Sequence, residues 1–178
     1  MPNICVFLSA NNLEEKYTQP AQHLGKLLAQ NGYNFVYGGD DRGLMKVMAT
    51  SVQENGGKVI AVITPRLKDR TNPEADESIM VQDDCEQTKI MDERSSAIIV
   101  MAGGLGTLSE VTRVLVLKKR RQHHKPVIVF NSNEFYTGLI KQLTKMKQEG
   151  CLPSKIEELL SFATTPNEVI KQLTSHLA

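Results

Sequence analysis

The sequence predicts an α/β protein of the Rossmann-like, doubly wound class, in which helices flank one parallel sheet. Three observations predict this class. Short β-branched segments alternate with longer amphipathic segments along the chain, as in βαβ units with right-handed crossovers. Most of the short segments are apolar throughout, which is typical of parallel strands covered on both faces. No internal repeat or interdomain linker interrupts the pattern, so we expect residues 1–178 to form a single domain.

The predicted strands are the short apolar segments, each bounded by turn-forming or polar residues. There are six of them, at Ile4–Leu8, Asn34–Tyr37, Val59–Ile63, Ile79–Val81, Ala97–Met101 and Val127–Phe130.

The predicted helices lie between and after the strands. In the first, leucines recur at helical spacing and Asn31-Gly32 forms a stop signal. Asp83-Asp84 predicts the N-cap of the third, and Thr165-Pro166 predicts the start of the last. Pro65–Ser78 is the longest predicted loop. The six helices are predicted at Leu13–Asn31, Leu44–Asn55, Cys85–Arg94, Thr107–Arg121, Phe135–Glu149 and Asn167–Leu177.

Composition excludes several classes of protein. The 21 lysines and arginines against 20 aspartates and glutamates leave a net charge of +1, whereas a general nucleic-acid binder needs a strong basic excess. The longest apolar run, Ala97 to Ala102, is far shorter than the roughly 18 residues of a membrane span. The 3 cysteines are far apart and lack metal-ligand spacing, and the N-terminal segment does not read as a signal peptide. We therefore expect a cytoplasmic protein without a metal site.

Two glycine-rich turns follow predicted strands, one at Gly38-Gly39-Asp40-Asp41-Arg42-Gly43 and one at Gly103-Gly104-Leu105-Gly106-Thr107. In doubly wound sheets, ligands bind beyond the carboxyl ends of the strands. The second turn leads into a helix whose free N–H groups favour an anion, and Thr107 can cap that helix or donate its hydroxyl to a phosphate. Glycines can also serve tight turns alone. Two such turns in one small sheet favour nucleotide binding, and Ser109 in place of a third glycine favours a mononucleotide over NAD.

Two charged residues flank the second turn. Glu110 falls about one helical turn after it, where a ribose could lie, and Arg94 ends the preceding helix. Arg94 could reach an anionic ligand or Glu110. The two residues could equally form a structural ion pair or remain solvated, with Glu110 favoured by the helix dipole.

These motifs together resemble the LOG ("Lonely guy") family of cytokinin-activating phosphoribohydrolases, long labelled lysine decarboxylases. The similarity runs through nearly the whole chain in order. It is carried by Tyr37-Gly38-Gly39, Gly43-Leu44-Met45, Met91-x-Glu93-Arg94 and Gly103-Gly104-Leu105-Gly106-Thr107-x-x-Glu110. Nothing in the sequence marks a lysine for a pyridoxal Schiff base, so the decarboxylase label has no support from the residues.

The resemblance implies hydrolysis of the N-glycosidic bond of a nucleoside 5′-monophosphate, without a cofactor, by a homodimer whose sites lie near the interface. It implies that Arg94 and Glu110 are catalytic, with Glu110 stabilising positive charge at the anomeric carbon or positioning the water. It also implies that a set of loop residues binds the substrate. These are Ser9, Gly38, Gly39, Met91, Gly103, Gly104, Leu105, Gly106 and Thr107.

The chain departs from the family pattern around these motifs. The usual residues are replaced at Asp92, Ser95, Ala102, Arg113, Leu117 and Lys119, and Asp40 replaces a third glycine in the first turn. These changes motivate a second hypothesis, a non-catalytic carrier or sensor of a nucleotide or phosphorylated cofactor, as in the related molybdenum-cofactor carriers. A basic run, Lys118–Lys125, is predicted to be a solvated helix end, with a gate for anions or a dimer contact as alternatives.

Overall fold

The fold is one seven-stranded, wholly parallel sheet in the order β4-β3-β2-β1-β5-β6-β7. The computed structural model describes residues 1–152 and 155–177. The strands are β1 (Asn3–Phe7), β2 (Asn34–Tyr37), β3 (Val59–Ile63), β4 (Glu77–Met80), β5 (Ala97–Val100), β6 (Val127–Phe130) and β7 (Ser161–Ala163). The predicted α/β, doubly wound class is confirmed.

Helices cover both faces of the sheet. They are α1 (Glu15–Gln30), α2 (Gly43–Glu54), α3 (Asp84–Glu93), α4 (Leu105–Lys119), α5 (Thr137–Gln148), α6 (Ile156–Leu159) and α7 (Pro166–Leu177). One apolar core joins the sheet to α1, α2 and α7, and the other joins it to α3, α4 and α5. No helix among the described residues is long and apolar enough to cross a lipid bilayer.

The structure adds elements that the sequence pattern does not predict. The strand β7 and the short helix α6 have three and four residues, too few for a periodicity to emerge. The predicted loop Pro65–Ser78 contains a 3-10 turn at Pro65–Arg70 and the first residues of β4. Five of the six predicted strands agree within one residue at each end, and β4 begins two residues earlier than predicted.

The strand order fixes where a ligand can enter. The chain builds outward from β1 to β4 and then returns, so that β5 pairs with the other edge of β1. At such a reversal the loops after the two central strands diverge and leave a crevice at their carboxyl ends. Here those loops contain Ser9 and Gly103, and the amide of Ser9 donates to the Ala102 carbonyl at 3.1 Å.

Candidate functional site

A cleft of about 390 Å³ opens at the carboxyl edge of the sheet, where the strand order reverses. Both glycine-rich turns and the N-terminal turns of α3 and α4 border it. Its lining residues are Leu8, Ser9, Ala10, Asn11, Gly38, Asp40, Met45, Arg66, Leu67, Asp84, Cys85, Gln87, Thr88, Gly104, Leu105, Gly106, Thr107, Ser109, Glu110 and Arg113.

The N-terminus of α4 faces this cleft with unpaired backbone donors. Gly104 occupies the N-cap position, where it offers no side chain to cap the helix. The first backbone bond of the helix runs from the Leu108 amide to the Gly104 carbonyl, so the preceding amides of residues 105–107 have no partner within the helix. Thr107 is buried beneath them and lines the cleft. Free amides and the helix dipole make this end suited to an anion.

Gly103 is needed for this turn to pass over Thr107. A β-carbon at position 103 would lie 2.2 Å from the Thr107 hydroxyl oxygen, whereas one at Gly104 would meet nothing within 4 Å. Gly103 does not itself line the cleft. Gly103 shapes the cleft indirectly, because it lets the turn pack closely against the helix that follows it.

The first glycine-rich turn forms the opposite wall. Gly38 lines the cleft, and Gly39 behind it adopts a φ of 79°, a left-handed conformation that favours glycine. Asp40, which replaces the third glycine of the family pattern, is buried and receives two hydrogen bonds of 3.0 Å from the Arg42 guanidinium. Arg70 lies 3.7 Å from the same carboxylate. The aspartate therefore ties the turn to the 3-10 segment beside it.

Gln87 holds this wall from below. Its side-chain amide donates to the carbonyls of Val62 at 2.7 Å and Gly38 at 3.3 Å. The residue is buried on the first turns of α3, which starts at Asp84 beside the cleft. The N-cap of α3 is Asp83, whose side chain accepts from the Glu86 amide at 2.8 Å, as the sequence predicts.

Glu110 lies half-buried on the cleft face of α4, one turn after Thr107. Burial, with the nearby negative charge of Asp84, raises the pKa of Glu110 to about 8. The carboxyl therefore holds a proton at neutral pH. A protonated carboxyl beside an anion-binding helix end can donate a proton to a leaving group and then stabilise positive charge once ionised.

Arg94 does not reach the cleft, which corrects the expectation drawn from the family resemblance. It caps the C-terminal end of α3, where its carbonyl accepts from the Asn3 side chain at 2.8 Å and its guanidinium pairs with Glu77. Because α3 runs antiparallel to the strands, that end lies toward the amino edge of the sheet, about 9 Å of helix beyond Thr88, the last residue of α3 that lines the cleft. Met91, on the same helix, is buried in the core and does not line the cleft.

The other sequence-predicted positions divide between the cleft and its surroundings. Seven of them line it: Ser9, Gly38, Gly104, Leu105, Gly106, Thr107 and Glu110. Gly39 and Gly103 shape the turns instead. Among the positions that depart from the family pattern, Arg113 lines the cleft. Asp92 forms a 2.9 Å ion pair with Lys125, Ser95 is buried, and Lys119 is exposed at the far end of α4.

Sequence reasoning missed the contribution of α3 and of the segment after β3. Asp84, Gln87 and Arg66 line the cleft, and Arg66 pairs with Asp84 at 3.1 Å. A usable signal was present, because every helix that follows a parallel strand begins at the carboxyl edge of the sheet. The predicted N-cap at Asp83 therefore already indicates that the first turn of α3, and not its last, faces the carboxyl edge of the sheet and the cleft.

The basic run lies on the other side of the molecule from the cleft. Helix α4 ends at Lys119, at the amino edge of the sheet, so the run is not a gate for the cleft of the same chain. His123 is buried with Nε2 3.0 Å from the Val114 carbonyl oxygen. Within residues 1–152 and 155–177, no group of three His, Cys, Asp or Glu side chains could hold a metal ion. No lysine is among the described residues that line the cleft, which leaves no amine there for a Schiff base.

The fold and the cleft together define a Rossmann-like α/β protein with a helix N-terminus and a half-buried glutamate at the strand-order reversal. Residues 45–173 match the family described as "Possible lysine decarboxylase". The chain is 32% identical over 176 residues to a probable cytokinin riboside 5′-monophosphate phosphoribohydrolase of Oryza sativa subsp. japonica, covering 97% of this chain and 72% of that protein. It is 31% identical to a cytokinin riboside 5′-monophosphate phosphoribohydrolase of Arabidopsis thaliana, covering 97% and 82%. The chain belongs to this family, the LOG family.

Solved structures share the fold. A molybdenum cofactor binding protein from Rippkaea orientalis superposes with a TM-score of 0.78 at 23% identity, covering 99% of this chain and 98% of that one. A Moco carrier protein from Chlamydomonas reinhardtii gives 0.77 at 22% identity, covering 99% and 97%. At these identities the likeness establishes the architecture alone.

Proposed function

We propose that this protein hydrolyses the N-glycosidic bond of a nucleoside 5′-monophosphate, releasing the free base and ribose 5-phosphate. The observation that carries the proposal is the position of Glu110, a half-buried carboxyl that faces the cleft one helical turn from the free amides at the N-terminus of α4. The raised pKa of Glu110 supports the proposal, because it favours the protonated form. The names of the LOG relatives support the same reaction class.

In this proposal the 5′-phosphate binds the amides of residues 105–107 and the Thr107 hydroxyl. The ribose then lies against the next turn of α4, where Glu110 faces the cleft. A bound phosphate dianion adds negative charge near Glu110, so it favours the protonated carboxyl further.

The chemistry follows from that protonation state. As the bond from C1′ to the base nitrogen breaks, its electron pair leaves with the base, and the proton of Glu110 neutralises that nitrogen. The resulting carboxylate stabilises the oxocarbenium-like sugar. Water adds to C1′ and returns a proton to Glu110, so that nucleotide and water give base and ribose 5-phosphate.

The test is release of free base from each common nucleoside 5′-monophosphate, quantified by chromatography. We expect Glu110→Gln to lower kcat by about 100-fold or more, because the acid is lost, while nucleotide binding changes only a few-fold. Glu93→Gln is the matched control, since Glu93 is exposed on the far end of α3. Full turnover in Glu110→Gln would contradict the role of Glu110.

A second candidate is a non-catalytic carrier or sensor of a phosphorylated ligand. It is favoured by the position of Arg94 outside the cleft, which removes one of the two catalytic residues that the family resemblance implies. This candidate predicts that the purified protein retains a phosphorylated molecule, detectable by mass spectrometry after gentle denaturation, and releases no base. Base release from any monophosphate would exclude it.

We further propose a cytoplasmic homodimer. The apolar residues Leu105, Leu108 and Val116 are exposed along one side of α4, which favours burial against a second copy. All three cysteines are free and two of them are exposed, which suits a reducing compartment.

A further inference from the structure

Arg113 is distinctive among the charged side chains that line the cleft. Asp40 is neutralised by Arg42 and Arg70, and Arg66 pairs with Asp84. Glu110, which faces the same space, holds a proton at neutral pH. Among the described residues, Arg113 makes no ion pair, although it is half-buried and lines the cleft.

The position of Arg113 along α4 relates it to the proposed ligand. Arg113 follows Glu110 by three residues and Thr107 by six, so all three lie on one side of the helix. At a rise of 1.5 Å per residue, Arg113 is about 9 Å further along the axis than Thr107. A nucleotide with its phosphate at the helix N-terminus and its ribose at Glu110 extends beyond the ribose toward Arg113.

We infer that the ligand carries a second anionic group, beyond the 5′-phosphate, and that Arg113 binds this group. The inference rests on the proposed orientation of a nucleotide in the cleft. A guanidinium partly removed from water without a counterion loses solvation, and a carboxylate or phosphate restores it through two parallel charge-assisted hydrogen bonds. Neutral bases offer no such compensation, which makes Arg113 a residue that determines specificity.

Two chemical sources could supply the second anion, a carboxylate on the base or a phosphate on the ribose. Two probe pairs distinguish them. Uridine and orotidine 5′-monophosphates differ only in a carboxylate on the pyrimidine, and adenosine 5′-monophosphate and adenosine 3′,5′-bisphosphate differ only in a ribose phosphate. The reach of Arg113 beyond Glu110 favours the group on the base.

The test is calorimetric titration of both pairs into the full chain carrying Glu110→Gln, which separates binding from turnover. We expect the second anion in at least one pair to tighten binding by about tenfold or more, in line with a charge-assisted hydrogen-bonded pair. Adding Arg113→Gln should abolish that preference, and Arg113→Lys, which keeps the charge without the planar fork, should restore part of it.

Arg66→Gln is the matched control, because it removes the same charge from another lining residue. Equal affinity within both probe pairs would overturn the inference, as would a preference that survives Arg113→Gln or disappears equally in Arg66→Gln. A preference that depends on Arg113, in a protein that cleaves no monophosphate, would support the inference while refuting the proposed hydrolase. Cleavage of a monophosphate without any such preference would support the proposed hydrolase and overturn the inference about Arg113.

Discussion

Glu110 shows how burying a carboxyl at a cleft opposes the stability of the folded state. Its pKa of about 8 in the folded protein exceeds the ordinary value of 4.5, so between these values the folded state binds a proton that the unfolded state releases. The free energy of unfolding therefore falls as the pH rises through this window. The negative charge of Asp84, on α3, also raises the pKa of Glu110.

We predict that Glu110→Gln stabilises the protein, because a neutral amide removes the cost of ionising a carboxyl in the cleft. The expected gain is on the order of 1–3 kcal/mol at pH 8 and falls to about 0.4 kcal/mol at pH 4.5, where the folded carboxyl is protonated and the unfolded one is half protonated. Chemical denaturation of both proteins across this pH range measures it. Parallel curves for wild type and Glu110→Gln would mean that Glu110 titrates normally.

Gly103 and Gly104 allow a second prediction, about the second glycine-rich turn. In Gly103→Ala the new methyl group would lie 2.2 Å from the Thr107 hydroxyl, so the turn or Thr107 must move. We expect a loss of about 1–3 kcal/mol in stability and weaker binding of inorganic phosphate.

Gly104→Ala is the control, because nothing lies within 4 Å of its added β-carbon and its φ is −90°. Thermal unfolding and phosphate titration compare the two variants. If Gly103→Ala unfolds and binds like Gly104→Ala, then the close approach of the turn to Thr107 does not shape the site.

At this scale the sequence predicts some lining residues and misses others. The second glycine-rich turn and Glu110 are predictable, because a strand, glycines and a helix start follow one another locally. The two ion pairs that buried Asp40 forms with Arg42 and Arg70 are not, since the 3-10 segment that brings Arg70 to Asp40 has no sequence periodicity.

At the scale of elements, the direction of α3 places Arg94 far from the second glycine-rich turn, although the two are close in the sequence. Arg94 stands three residues before β5, which suggests proximity to the turn that follows that strand. The strand, however, carries the chain from the amino edge to the carboxyl edge of the sheet before the turn begins. Gln87, seven residues before Arg94, lines the cleft instead.

We predict that Arg94→Gln leaves base release and nucleotide affinity within about twofold of wild type. The ion pair with Glu77 that is lost is exposed, so the free energy of unfolding should fall by no more than about 1 kcal/mol.

By contrast, Gln87→Leu leaves the Gly38 and Val62 carbonyls without their side-chain donor, so it should destabilise the wall of the cleft and weaken nucleotide binding. Kinetic assays and ligand titrations of both variants test these expectations. If Arg94→Gln loses turnover while Gln87→Leu keeps it, then Arg94 takes part in the reaction.

At the scale of the whole molecule, strand order is the property that sequence patterns leave open. Alternating strands and helices predict a parallel sheet, but they do not say which strands become neighbours. That choice depends on long-range packing, here the pairing of β1 with β5 over the intervening three strands. The pairing brings the loops after β1 and β5 together, so the location of the cleft emerges only with the complete sheet.

The exposed apolar side of α4 leads to a prediction about assembly. Leu105 is 85% exposed, and Leu108 and Val116 follow it along the helix. Burying such residues against a second copy removes apolar surface from water, and a stable interface needs about 800 Å² from each partner. We predict that sedimentation gives twice the 19.8 kDa chain mass and that Leu108→Asp gives a monomer.

Met146→Asp is the matched control, since Met146 is similarly exposed but lies on α5. Wild type sedimenting as a monomer, or dissociation caused equally by both substitutions, would contradict an interface on α4. Because Leu105 also lines the cleft, a partner seated on α4 would shield the mouth of the site from water. Dissociation by Leu108→Asp should therefore weaken nucleotide binding as well, although Leu108 does not line the cleft, and Met146→Asp should leave that binding unchanged.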